Sequence, residues 1–166
     1  MKPAGQETFA EAERLVREEG RFFIHPFEGL HTSLGTASVG LELMAQVADL
    51  DAVVVSVGGG GLISGVAAAV PPMALPFGHA LCAVYVDDVV KVSDDAICAG
   101  MVVLQQAAKL AVEPAAGAAM AGALGPLRGQ LAGRRVGVIV CGANIDTETY
   151  LGQMSRGQAA LDSLLS

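Results

Sequence analysis

From Glu7 to Glu19 the apolar residues Phe9, Ala12, Leu15 and Val16 recur at helical spacing between charges, and Gly20 follows. This pattern predicts an amphipathic surface helix closed by a glycine just past its end. Arg21 to His25 reads as a short strand stopped by Pro26, and Phe27 to Leu34 as a loop. Ala37, Val39, Leu41, Leu43, Met44 and Val47 predict a second helix from Gly35 to Val47. Ala52 to Val57 is β-branched and apolar on both faces, the pattern of a central parallel strand covered on each side. It ends in Gly58 to Gly61, and small helix-compatible residues resume from Leu62 to Val70.

Pro71 and Pro72 end that helix, Met73 to Phe77 reads as an irregular connection, and His79 to Tyr85 as a short helical piece. Val89 to Val92 is the next predicted strand. Ser93 then caps a helix reaching about Lys109, with Asp94 and Asp95 in its first turn. Leu110 to Val112 is extended, and Pro114 suits the first position of an Ala/Gly-rich helix to Leu124. Arg135 to Val140 is the last predicted strand and runs into Cys141, Gly142, Ala143 and Asn144. Alternating strands and helices without tight hairpin signals place residues 1–166 in the α/β class, as a single domain with a parallel or mostly parallel sheet flanked by helices.

Composition changes this picture in one respect. Hydrophobic residues make up 52% of the 166 and charged residues 16%, and the mean hydropathy is +0.52, so polar surface is scarce for an isolated domain of this size. A covered surface is expected, through a homo-oligomer or a complementary chain. Ten Lys and Arg against seventeen Asp and Glu leave a net charge of −7, which argues against a nucleic-acid partner. No Lys, Arg, Asp or Glu occurs from Ala52 to Val86, but four consecutive glycines and three prolines break that stretch, so no membrane partner is expected. Cys82, Cys98 and Cys141 are odd in number, and residues 1–5 open no apolar signal core, which makes a reducing cytoplasm the expected location.

The chemistry centres on Gly58 to Gly61. A parallel strand that ends in four glycines before a helix forms an anion cup, because backbone N–H groups point inward and no Cβ blocks a phosphate. A small phosphate-bearing ligand is expected. The dinucleotide fingerprint fails, since Ile63 or Ser64 stands where its third glycine belongs, and the nucleotide P-loop fails because Val66 and Ala67 follow Gly65. The alternative is a glycine turn that only permits close packing of helix on sheet. No metal site is expected: His79 and Cys82 lack a second pair, and His25 and His31 lack a carboxylate cluster in sequence. Asp94 and Asp95, behind Ser93, read as a capped helix start.

Several segments in order resemble one family: Phe23 to Phe27, Gly35 to Leu43, Asp49 through Gly65, Asp87 to Asp95, Lys109 to Ala115, and Val140 to Asp146. They are similar to successive parts of the L-threonine/L-serine dehydratases, ammonia-lyases of the fold type II pyridoxal 5′-phosphate (PLP) enzymes, and match only the C-terminal part of such an enzyme. The resemblance implies a reduced version of that family's large PLP-binding domain. It implies that Gly58, Gly59, Gly60, Gly61 and Leu62 hold the PLP phosphate. It places Cys141 opposite the pyridine nitrogen, where a neutral thiol leaves that nitrogen unprotonated. Glu113 falls in an active-site-lining segment, and Asn144 orders the loop after the last strand. Taken alone, Cys141 reads as an inert buried thiol and Glu113 as a first-turn helix carboxylate.

Three parts of the family pattern are missing, one of them the Ser-x-Gly-Asn-type loop that in the family contacts the cofactor ring and the substrate carboxylate. After Ala67 to Val70 the chain joins directly to a much later landmark, so on the order of forty to fifty residues are absent, beyond ordinary loop variation. The segment with the Schiff-base lysine is also absent: Lys2, Lys91 and Lys109 are the only lysines, and the last two belong to other matched segments. No catalytic residue is therefore assigned. Three readings follow: a truncated dehydratase-like protein, inactive alone and retaining PLP or phosphate affinity; one half of a complemented PLP lyase; or a non-catalytic oligomerisation module.

Overall fold

The computed structural model describes residues 4–69 and 85–166. Val70, the connection expected from Met73 to Phe77, most of the helical piece expected from His79 to Tyr85, the His79 and Cys82 pair and Lys2 lie outside the described residues. The elements in chain order are α1 (Ala4–Glu19), α2 (Leu30–Gln46), β1 (Ala52–Val54), α3 (Gly61–Ala69), α4 (Asp94–Val103), a π-helical turn (Leu104–Ala108), α5 (Pro114–Leu124), α6 (Arg128–Leu131), β2 (Val136–Val138) and α7 (Thr147–Leu165). The fold is α/β, with a parallel two-stranded sheet in which Ala52, Val53 and Val54 pair with Val136, Gly137 and Val138.

Local signals carried most helices. Gly20 follows α1 with φ +65°, Ser93 Oγ accepts the Ala96 N–H at 3.2 Å at the start of α4, and Pro114 opens α5. The helix expected to reach Lys109 does so through the π turn, which ends on Lys109 with φ +60°. Helix α2 begins at Leu30, five residues before the expected Gly35, in a stretch expected to be loop. The Thr36 hydroxyl donates to the Thr32 carbonyl at 2.8 Å and to Gly61 O at 3.0 Å, so packing against α3 holds a turn whose Thr and Ser content gave little helical signal.

The expected strands differ more. Arg21–His25 and Val89–Val92 belong to no sheet, and the other two pair over three residues each. A strand exists only where a second backbone offers its donors and acceptors, and β-branched composition cannot supply that neighbour. Val92 instead packs beside Ala99, Ala121 and Leu164. In the 21–27 segment Phe23 and His25 pack against Phe9 of α1, with ring centroids 6.1 and 5.6 Å away. The expected cover on both faces of the sheet is also not found, since every residue of β1 and β2 keeps intermediate exposure.

Burial concentrates in two places. In the first, α3 lies against α2, with Ile63, Val66 and Ala69 buried. A Cβ on Gly65 would strike Thr36 Oγ1 and lie 2.7 Å from both Ala37 N and Ser33 O. In the second, α4 sits between α5 and α7, around Met101, Leu104, Val112 and Ala116. The sheet joins the two, and because its strands are parallel their carboxyl ends share one edge.

Gly65→Val should therefore destabilise the chain by about 1–3 kcal/mol, the range for an overpacked interior, read as a lower urea midpoint at unchanged slope. A second expectation concerns α7. Asp146 caps it, accepting from Thr149 Oγ1 at 2.6 Å and Thr149 N–H at 2.9 Å. The Thr149 hydroxyl, and then its N–H, hold the Asp146 carboxyl below the usual aspartate range. A carboxylate with a lowered folded pKa stabilises fully above its unfolded value, and that stabilisation is lost as pH falls through the folded one. The Tm difference between wild type and Asp146→Ala should accordingly be largest near neutrality and shrink in acid.

Candidate functional site at the carboxyl edge of the sheet

Ser56 and Val57 lead from β1 into the glycine loop. Gly60 turns the chain with φ +86°, and α3 begins on Gly61, so the fourth glycine belongs to the helix. The first helical bond runs from Ser64 N–H to Gly60 O at 3.0 Å, so the N–H groups of Gly61, Leu62 and Ile63 precede it and face out of the helix end. The positive end of the helix dipole adds to their pull on an anion. A Cβ on Gly58 would meet nothing within 4 Å, which leaves that rim open. The opposite wall is tight: a Cβ on Gly59 would strike the Phe27 ring, and one on Gly61 would lie 2.9 Å from Pro26 O and 3.2 Å from Thr32 Cγ2. Phe27 is itself placed by His25, whose Nδ1 accepts the N–H groups of Phe27 and Glu28 at 3.2 and 3.1 Å.

Cys141 reaches the same edge from β2. The ladder continues past the sheet through Ile139 N–H to Val54 O at 2.9 Å, and Cys141 Sγ lies 3.3 Å from Ser56 Oγ in a partly buried contact. Ser56 was not singled out from sequence. Its signal was the register itself, since a residue just past one strand end faces whatever stands just past the other.

Glu113 and Asn144 come together through the loop after β2. Glu113 N–H donates to Gly142 O at 3.0 Å, and Glu113 Oε2 accepts the Asn144 backbone N–H at 3.2 Å. A Cβ on Gly142 would collide with the Glu113 carboxylate. The carboxylate therefore ties down the loop that follows Cys141, and Asn144 contributes its backbone there. Glu113 is the N-cap residue of α5 and makes no side-chain cap bond, so it is not the first-turn carboxylate that its sequence position allowed.

The described lysines stand elsewhere. Lys109 Nζ donates to Gln106 O at 2.7 Å and closes the π turn. Lys91 lines a cleft between α4 and α7 together with Ser93, Asp95 and Arg156.

These residues suit two parts of PLP. The phosphate fits the loop, where Gly58 leaves room and the start of α3 supplies donors. The ring nitrogen fits the neutral thiol and hydroxyl of Cys141 and Ser56. Neither Lys91 nor Lys109 is placed at that edge for a covalent link to the cofactor.

The family model for pyridoxal-phosphate dependent enzymes matches residues 3–74 and 69–142, two pieces that meet between Ala69 and Ala74. The chain is 37% identical to phenylserine dehydratase of Ralstonia pickettii, over 92% of this chain and 60% of the relative. It is 30% identical to L-threonine ammonia-lyase of Thermotoga maritima, over 84% of this chain and 45% of the relative. The chain thus spans about half the length of the curated relatives it matches. The first match runs over 196 positions yet takes up 92% of a 166-residue chain, about 153 residues, so about 43 positions have no counterpart here inside the matched region. That shortfall agrees with the internal gap expected from sequence. Among solved structures, maize serine racemase superimposes with a TM-score of 0.77 at 28% identity, covering 89% of this chain and 60% of that one. The processed form of threonine deaminase isoform 2 from Solanum lycopersicum shares the fold, with a TM-score of 0.78 at 23% identity, covering 90% of this chain and 53% of that one. With the family model spanning most of its length, the chain belongs to the pyridoxal-phosphate dependent enzyme family.

Proposed function

We propose that these 166 residues are a dehydratase-like, cofactor-binding part of a PLP-dependent ammonia-lyase, which hold PLP through its phosphate without a covalent link and do not by themselves release ammonia from L-serine or L-threonine. The glycine loop carries this reading: an open Gly58, a left-handed Gly60 and a helix N-terminus form a cup for a phosphate dianion. PLP, when bound, supplies an electron-withdrawing ring that eases loss of the proton beside the substrate amino group. The N–H groups from Gly58 to Leu62 bind and orient the phosphate. Cys141 offers the ring nitrogen a neutral partner, and Glu113 holds the loop that carries Cys141 and Asn144 in place. The step that remains is proton transfer, which needs a base within hydrogen-bond reach of the substrate; Lys109 donates to Gln106 O, and Lys91 lines the cleft between α4 and α7.

One observation favours a second reading, in which another chain completes the site. Phe22, Ile24 and Leu34 are 76%, 57% and 59% exposed. On α2, Leu30, Leu34 and Leu41 fall on one helical face and are all exposed. Together with the half-exposed sheet, this is apolar surface of the kind that a partner covers. The partner is a complementary chain bearing the lysine segment, or a second copy of this one.

The purified chain should form no 2-oxo acid from L-serine or L-threonine in the presence of PLP, and robust turnover would overturn the proposal. PLP should bind reversibly, inorganic phosphate should displace it, and borohydride should trap no cofactor on the protein; covalent labelling of a lysine would contradict the non-covalent reading. Gly58→Leu, which has room to fold, should weaken PLP binding by about tenfold or more, roughly 1.4 kcal/mol, with the Tm unchanged. In size-exclusion chromatography with light scattering, a dimer is the expected species, and a clean monomer would leave the complementary chain as the only cover for the apolar face.

A further inference from the structure

We infer that Ser56 and Cys141 act as a single paired hydrogen-bond donor toward the ring nitrogen of the bound cofactor, with Ser56 as an unassigned member of the site; this rests on the cofactor site proposed above. The two side chains come from residues just past the ends of the two parallel strands, and Ser56 Oγ lies 3.3 Å from Cys141 Sγ. Either atom can be the donor. The pair holds two protons, one on oxygen and one on sulfur. One is spent on the bond between them, so whichever way that bond points, one neutral donor is left over.

Location directs that donor toward a ligand. Ser56 precedes Gly58 by two residues, a reach of at most about 7 Å for extended chain. A heteroaromatic ring whose phosphate sits in the glycine loop therefore has this pair beside it. Cys141 and Ser56 are both of intermediate exposure, so the donor is partly shielded from water and still accessible from the edge. With no charged group in the pair, a ring nitrogen that accepts from it stays unprotonated. Ser56 is also the residue that can replace the thiol: without the sulfur, its own O–H is released toward the ring.

The pairing predicts redundancy, which a merely structural contact would not produce. Binding of PLP and, separately, of inorganic phosphate would be measured for wild type, Ser56→Ala, Cys141→Ala and the double variant. Each single variant should lose less than about threefold in PLP affinity, and the double variant about tenfold or more, the scale of one lost hydrogen bond. Inorganic phosphate should bind all four proteins equally, because it touches only the glycine loop. Cys141→Ser combined with Ser56→Ala should restore wild-type PLP affinity, which guards against a fold defect in the double variant. Strictly additive losses, or no loss in the double variant while PLP and phosphate still bind wild type, would overturn the pairing. Equal losses for phosphate and PLP would assign Ser56 to the loop's structure and also refute it. If wild type binds neither ligand, the cofactor reading itself fails and the pairing falls with it.

Discussion

Parallel pairing of Ala52–Val54 with Val136–Val138 is the contact on which the rest of this molecule depends. It joins residues far apart in the chain, so it must offset a large loop-closure cost with few rungs. The approach to it is reinforced. Asp51 N–H donates to Arg135 O at 2.9 Å, Asp51 Oδ2 accepts Arg135 N–H at 2.8 Å, and the Arg135 guanidinium donates to Ala48 O at 2.9 Å. Were the strands antiparallel, the glycine loop and Cys141 would leave opposite ends of the sheet. Parallel pairing sends both to one edge, which is where open α/β sheets bind their ligands.

The apolar excess of the composition resolves into two different things. Part of it is the small-residue packing of helix on helix, where Gly65 meets Thr36 and Ala116, Ala119 and Ala121 are buried along α5. Small side chains bury little area each, so these helices rely on close approach more than on bulk. The other part is outward: the exposed leucines of α2, the aromatic residues after α1 and the half-covered sheet. The chain spans about half the length of the curated relatives it matches, and about 43 positions of the first match have no counterpart in it.

Much of the candidate site was legible because its chemistry is written locally. Four successive glycines behind a β-branched run imply an anion cup through backbone geometry alone, and the Ser93 and Pro114 helix starts follow from local capping rules. The failures share one cause. The segments Arg21–His25 and Val89–Val92 have strand-like residues and, among the described residues, no strand beside them, and the early start of α2 depends on Thr36 reaching Gly61 across to another helix. Partners distant in sequence decided these elements, and residue preference could not.

The sequence by itself determined the α/β class, the position of the glycine loop at Gly58 to Gly61, the helix caps and the family, because each rests on short-range geometry or on the order of motifs along the chain. Only the tertiary structure decided which predicted strands became strands, that Glu113 spends its carboxylate on the Asn144 N–H, and that Ser56 stands 3.3 Å from Cys141. Those facts depend on the register of one short parallel pair. Register is a relation between two segments, and neither segment contains it alone.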